Sequence, residues 1–256
     1  MSPRVEAIIP DWQVPNHVHA LVTLRTAGFS QGNYQGFNLA LHVGDKPQAV
    51  SKNRQLLLQA FQLPEKPYWL EQTHSTKVIE LPVMQADDIG NADADAAWTN
   101  KPATVCAVLT ADCLPVFFYH AEENKVAVAH AGWRGLANGV IEQTISKMTK
   151  TPELLKVWLG PAIGADEFEV GEEVKDIFCL IDPDADQCFR QAKKIAAKQH
   201  YLADIYQLAK RRLYNVGVTT ISGGDYCTVS DEQRFFSYRR DGQTGRMASL
   251  IWLSEI

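Results

Sequence analysis

The sequence predicts an α+β fold, with strands and helices layered around a shared core. Two observations carry that expectation. Eight strand-like runs outnumber four helical candidates, and the two kinds of segment do not alternate cleanly, as a doubly wound sheet would require. The runs are VHALVTLR (18–25), KVIELP (77–82), TVCAVLT (104–110), PVFFY (115–119), KVAVAH (125–130), LLKVWLG (154–160), VTTIS (218–222) and MASLIWL (247–253). Most are rich in β-branched residues and bounded by turn residues.

The helical candidates are 47–61, 136–148, 172–178 and 189–214. In the second, Leu136, Val140, Ile141, Ile145 and Met148 recur at roughly helical spacing. The last one ends at the stop signals Asn215 and Gly217. No repeat, low-complexity tract or long linker divides the chain.

Composition narrows the function classes. With 256 residues, 46% of them hydrophobic, the chain can bury a sizeable core. A formal charge of -5 gives no global attraction to nucleic acid or to an anionic membrane. The five cysteines are odd in number and form no CxxC pair, so a reducing compartment is expected. The most apolar stretch, 103–119, is interrupted by Thr110, Asp112 and Pro115, which reads as two buried strands around a turn, not a membrane span. The N-terminus has no signal-peptide apolar region. The expectation is a soluble cytoplasmic protein.

Several motifs fail. GFSQG (28–32) matches the G-x-S-x-G elbow, but the following NYQGFNLALHVGD is not helical, so a glycine-supported loop is the better reading. HExxH, Walker A, GxGxxG and the zinc-deaminase signature are all missing.

Three positions set a metal-capable or nucleophilic side chain at or beside a strand end. They are His74 in EQTHSTKV, Cys113 in LTADCLPVFF and His130 at the end of KVAVAH. Zinc accepts imidazole nitrogen and thiolate sulfur, and a catalytic site leaves its fourth position open. Two histidines and one cysteine make such an open set, and their wide spacing suits a site assembled from several strands. A metal-free Cys113–His130 dyad is the other chemical option. The bland readings stay open too: a buried cysteine as a small hydrophobe, and a histidine as a hydrogen-bonded core residue. Cys106, Cys179, Cys188 and Cys227 read as structural, and His17, His19, His42, His120 and His200 have no comparable context.

Arginines supply a possible anion site. Arg134 sits in HAGWRG, where the chain turns through Gly132 and Gly135 into a helix starting near Leu136. Helix N-termini favour anions. Pairing of Arg134 with an acid, beside a packed Trp133, is the equal alternative. Arg239, Arg240 and Arg246 surround a DG turn expected between two strands, where they could hold phosphate or carboxylate or form a solvated basic hairpin.

The stretches QTHS (72–75), TADCLPV (110–116), HAGWRG (130–135), LGPAIG…FEVG (159–171) and FFSYRRDGQTGR (235–246), with NLALHVGD (38–45) and SKNR (51–54), resemble the motifs of the YfiH/laccase-domain family. That family is also called multicopper polyphenol oxidoreductase or purine nucleoside phosphorylase. The resemblance runs from about Gly28 to Trp252. It implies one domain over 1–256, in stacked α/β/β/α layers with mixed sheets like those of cysteine hydrolases. It also implies zinc on His74, Cys113 and His130, with purine nucleoside and phosphate as substrates. Members are described as phosphorolysing adenosine, inosine, guanosine and methylthioadenosine, and as deaminating adenosine.

On that reading Asp112 is a proton shuttle, an orienter of the site or merely a turn cap, and Arg134, Arg239 and Arg240 are the anion-binding candidates. A copper-dependent polyphenol oxidase is disfavoured, because multicopper chemistry needs many more than seven histidines. A Cys–His hydrolase acting on a peptidoglycan precursor, with Cys113 as nucleophile, His130 as base and His74 orienting, is the third option. A binding module without turnover is the fourth.

Overall fold

A computed structural model describes residues 5–82, 92–192 and 199–255. In chain order its strands are β1 (Ala7–Ile8), β2 (Val18–Thr23), β3 (Val78–Glu80), β4 (Ala96–Thr99), β5 (Cys106–Thr110), β6 (Leu114–His120), β7 (Lys125–Ala131), β8 (Leu155–Leu159), β9 (Glu169–Gly171), β10 (Phe189–Gln191), β11 (His200–Ala203), β12 (Thr220–Gly223) and β13 (Met247–Leu253). The α-helices are α1 (Pro47–Ala60), α2 (Trp133–Asn138), α3 (Val140–Met148), α4 (Glu172–Ile181), α5 (Ile205–Asn215) and α6 (Tyr238–Asp241).

Two large sheets stack. One runs β1-β2-β13-β5 and the other β12-β8-β6-β7-β4-β3, the second mixing parallel and antiparallel pairs. Strand alternation sorts their side chains into three cores. Val116 and Phe118 of β6 face one way, packing with Val140, Ile141 and Leu208 of the helices. Phe117 and Tyr119 face the other way, packing with Val22, Val108 and Ile251 of the smaller sheet. That sheet's outer face, with Leu21, Ala107 and Leu250, packs on Leu57 of α1. The layers are therefore α/β/β/α, as the resemblance implied. Sheets covered on both faces explain why β5, β6 and β13 are buried at every residue and mostly apolar.

Local expectations were corrected in three places. The helix expected over 189–214 is a hairpin of β10 and β11 followed by α5; β11 also pairs with β9, so tertiary pairing overrides helical spacing. Residues 193–198 of that segment lie outside the described residues. The helix expected at 136–148 starts earlier, at Trp133, and is cut in two at Gly139, whose φ of 96° lies in the left-handed region that ends a helix. The DG pair at 241–242 ends α6 and does not join two strands. The short strands β1, β4 and β9 were missed.

Ser30 of GFSQG donates to Asp45 Oδ2 at 2.6 Å inside the protein and leads into a short 3-10 turn, so the elbow is absent there. All five cysteines are free. No described helix is long and apolar enough to cross a membrane.

Candidate metal centre

The site forms where the chain crosses between sheets. β5 belongs to the smaller sheet and β6 to the larger, so residues 111–113 bridge the two. Asp112 makes that bridge in a left-handed conformation, with φ 88°. Cys113 is thereby set against the end of β7, where His130 lies, because Leu114 pairs with Ala131 and Pro115 with His130. His74 arrives from the loop before β3, also left-handed, with φ 60°. The ligand atoms of His74, Cys113 and His130 lie within 4.8 Å of one another, and they are the one such group of three among the described residues. Cys113 Sγ is 3.8 Å from His74 Nε2.

Asp95, just before β4, organises this arrangement and was not foreseen. Its Oδ1 is 2.7 Å from His130 Nδ1, and it also accepts the backbone N–H of His74 at 3.1 Å. Its Oδ2 accepts the N–H of Thr73 and both the N–H and hydroxyl of Ser75, the last two at 2.6 and 2.7 Å. One fully buried carboxylate thus fixes the His130 ring and holds the loop that presents His74. A left-handed non-glycine residue costs roughly 1–2 kcal/mol, which these bonds offset. The available signal was an acid directly before the stretch AAWT.

Charge follows from contact. Burial pushes the Cys113 thiol up, but the imidazoles of His130 and His74 outweigh it and bring its pKa down to about 6. Burial likewise opposes charge on His130, yet Cys113 and Asp95 raise it to about 9. Without a metal the pair therefore favours thiolate and imidazolium. Asp95 itself resists burial through hydrogen bonds from His130 and Ser75, and its carboxyl stays below the usual range.

The donor set fits a metal ion. Zn–N near 2.0–2.1 Å and Zn–S near 2.3 Å at tetrahedral angles set N and S donors about 3.6 Å apart. The 3.8 Å Sγ–Nε2 separation is close to that. Asp95 holding Nδ1 leaves His130 Nε2 as its ligand atom, the usual carboxylate–histidine–metal order.

Gly132 explains part of HAGWRG. A Cβ there would stand 2.7 Å from His74 Cδ2 and 3.0 Å from Cys113 Sγ. Gly132→Ala is expected to displace both side chains and weaken zinc affinity about tenfold, with the melting temperature little changed. A competition titration against a chromogenic chelator tests this, and an unaltered affinity would remove glycine's role. Gly135 lies inside the first turn of α2, and its Cβ position is 3.2 Å from Ser75 O, so the loop, not an anion, covers it.

The cluster lies in a cavity of about 400 Å3. Trp133, Ile163, Phe168 and Ile205 form apolar wall, while Arg134, Arg239, Arg246 and His42 bring cationic or polar edges. Arg134 is exposed and stacks over Trp133 at 4.5 Å, with no acidic partner among the described residues. Arg239 lines the cavity, but two of its nitrogens donate to the carbonyls of Glu167 and Glu169. Arg240 points elsewhere, donating to the carbonyls of Thr228, Val229 and Phe235 and to Asp241. Asp112 lines the cavity with its carboxylate engaged by Thr228 Oγ1 at 2.6 Å and Arg239 N at 2.7 Å, which is a bracing arrangement. His42, given no role from sequence, stands at the cavity wall.

Fold and centre define a class: a layered α/β/β/α protein with an open two-histidine, one-cysteine cluster beneath a cavity. A family model described as multi-copper polyphenol oxidoreductase laccase matches residues 19–254, and the chain belongs to that family. It is 48% identical over 248 residues to a purine nucleoside phosphorylase of Haemophilus influenzae, covering 97% of this chain and 99% of that protein. It is 50% identical to the purine nucleoside phosphorylase YfiH of Escherichia coli, covering 96% and 98%. Among solved structures, a Neisseria meningitidis protein superposes with TM-score 0.88 at 47% identity, covering 97% and 99%. YlmD from Geobacillus stearothermophilus does so with TM-score 0.85 at 29% identity, covering 94% and 93%.

Proposed function

We propose that this chain is a cytoplasmic zinc-dependent purine nucleoside enzyme. It cleaves adenosine, inosine, guanosine or methylthioadenosine by phosphorolysis and deaminates adenosine. The observation that carries the reading is the His74–Cys113–His130 cluster at an aromatic-walled cavity; the names of the relatives support it. Trp133 and Phe168 suit the faces of a purine, since ring stacking favours flat partners. Cationic edges suit phosphate. In phosphorolysis a phosphate oxygen bonds to the sugar's C1′, the bond from C1′ to the base nitrogen breaks, and the base leaves with that electron pair and takes up a proton.

His74, Cys113 and His130 would hold the zinc, with Asp95 orienting His130. When bound, such an ion lowers the pKa of water and polarises oxygen or nitrogen. Zinc is favoured over copper redox chemistry because the described residues offer one three-ligand group, not the several that multicopper oxidation uses. Protein purified from unsupplemented cells is expected to carry zinc; stoichiometric copper with little zinc would favour the phenol oxidase. Zinc-loaded protein with adenosine is expected to release adenine only when phosphate is added. No base release under those conditions would sink the phosphorolysis.

A second reading has one observation in its favour. The lowered Cys113 thiol beside His130 and Asp95 is also the layout of a cysteine nucleophile with its base and orienter. Such a hydrolase, acting on a peptidoglycan precursor, would form a covalent Cys113 adduct with a substrate-like electrophile in zinc-free protein. Failure to form that adduct counts against it.

A further inference from the structure

Arg246 differs from Arg239 and Arg240 in the donors it keeps free, and from the exposed Arg134 in being half-buried. It directly precedes β13, one residue beyond the pairing of Met247 with Thr110, and so flanks the crossover that carries Cys113. Its Nη1 donates to its own turn, to the carbonyls of Thr244 and Gly245, while Nε and Nη2 have no protein acceptor among the described residues. It forms no ion pair there either. The side chain is half-buried and lines the cavity. The groups that face it are Cys113, Asp112, Tyr238 and Tyr34. Asp112 is already engaged by Thr228 and Arg239.

The neighbouring wall carries His42, whose protonation burial and the nearby arginines disfavour. His42 lines the same cavity, and Arg246 and Arg54 act on its charge more strongly than Glu71 does. Arg54 also has no acidic partner among the described residues; it stacks on Trp69 at 4.1 Å and donates to Leu39 O. A chain of net charge -5 thus leaves two arginines beside one histidine without a paired carboxylate.

A buried network fixes this wall. Asn38 Oδ1 accepts from Arg246 N at 3.0 Å, and Asn38 Nδ2 donates to Asp45 at 2.9 Å. Asn53 donates to Asn38 O at 2.8 Å and to Ser30 Oγ at 3.0 Å. The segments NLALHVGD and SKNR therefore clamp the His42 loop to the start of β13. Satisfied buried networks of this kind hold one geometry.

We propose that Arg246, with His42 beside it, is the oxyanion-binding group of the cavity and holds inorganic phosphate next to the His74–Cys113–His130 cluster. A guanidinium with free donors on one edge matches two oxygens of a phosphate. Arg240 is excluded by its carbonyl partners; Arg239 spends a donor of each terminal nitrogen on the carbonyls of Glu167 and Glu169, whereas Arg246 spends only Nη1 and keeps Nε and Nη2. Phosphate's place in turnover rests on the phosphorolysis reading; its binding does not.

The test is calorimetric titration of inorganic phosphate into the full chain, for wild type, Arg246→Gln, Arg246→Lys, His42→Gln and the distant surface variant Arg190→Gln. Arg246→Gln is expected to weaken phosphate roughly 10- to 100-fold, with Arg246→Lys between it and wild type. Adenosine binding in phosphate-free buffer is expected to be retained, and Arg190→Gln to titrate as wild type. Absence of phosphate binding by wild type, or equal affinity in Arg246→Gln, overturns the proposal. Should Arg246→Gln lack native circular dichroism, unchanged affinity in both Arg246→Lys and His42→Gln overturns it instead. Arg246-dependent phosphate binding without phosphate-dependent base release upholds this site and refutes phosphorolysis.

Discussion

Cys113→Ser is expected to abolish zinc binding and turnover together. The hydroxyl of serine is not a thiolate, and loss of a direct ligand exceeds the roughly 10- to 100-fold cost of losing an outer partner. The wild-type thiol also gives a pH readout. With its pKa near 6 in metal-free protein, Cys113 is protonated and slow to alkylate below that value and reactive above it. An ordinary cysteine would show its midpoint near 8.5. Burial pushes Cys106 and Cys179 the opposite way, and Cys188 up to about 11. Iodoacetamide at neutral pH, followed by peptide mass analysis, is therefore expected to label Cys113 well ahead of those three, and zinc to block that labelling. A Cys113 midpoint near 8.5 would mean that His130 does not stabilise the thiolate.

Asp95→Asn is the second large effect. The carboxylate serves His130 and three consecutive backbone N–H groups, besides the Ser75 hydroxyl. An amide of the same shape turns an NH2 towards some of those donors and leaves others unsatisfied. Zinc affinity is expected to fall roughly 10- to 100-fold. Stability at pH 7 is expected to fall by about 2–4 kcal/mol.

The pH dependence has a definite sign. The folded-state pKa of Asp95 is depressed, so its stabilisation is present above the unfolded carboxylate value, near 3.9, and is lost as pH falls through the folded value. The gap between wild type and Asp95→Asn in urea unfolding should therefore narrow as pH drops below about 4. A gap that stays constant into acid, or an unchanged zinc titration, would show that the charge of Asp95 does not matter.

Much of the fold was legible locally. Residues two or four apart share a face, so the apolar runs of β5, β6 and β13 and the spacing in α1 and α3 announce themselves. Two of the three ligand candidates adjoin segments of that kind: Cys113 precedes β6 and His130 is the penultimate residue of β7. His74 stands in the loop a few residues before β3. Donor chemistry grouped them, and the family resemblance, which rests on several motifs in order, assigned zinc to that group and implied the layers. The site's arginines were less legible, because an arginine in a polar turn looks alike whether it points into a cavity, as Arg246 does, or into its own carbonyls, as Arg240 does.

By itself the sequence determined the strand-rich character of this protein, the covered faces of its main strands and the donor types that could meet a metal. Tertiary structure alone decided that those donors converge, since the crossover between β5 and β6 brings Cys113 to His130 and the loop before β3 brings His74. It also decided that Asp95 is the residue underneath them, and that 189–214 opens as a hairpin. The physical reason is range. Burial patterns repeat every few residues, whereas Asp95 reaches 35 residues to His130 and Asn38 reaches 208 to Arg246, and no local periodicity encodes such pairs.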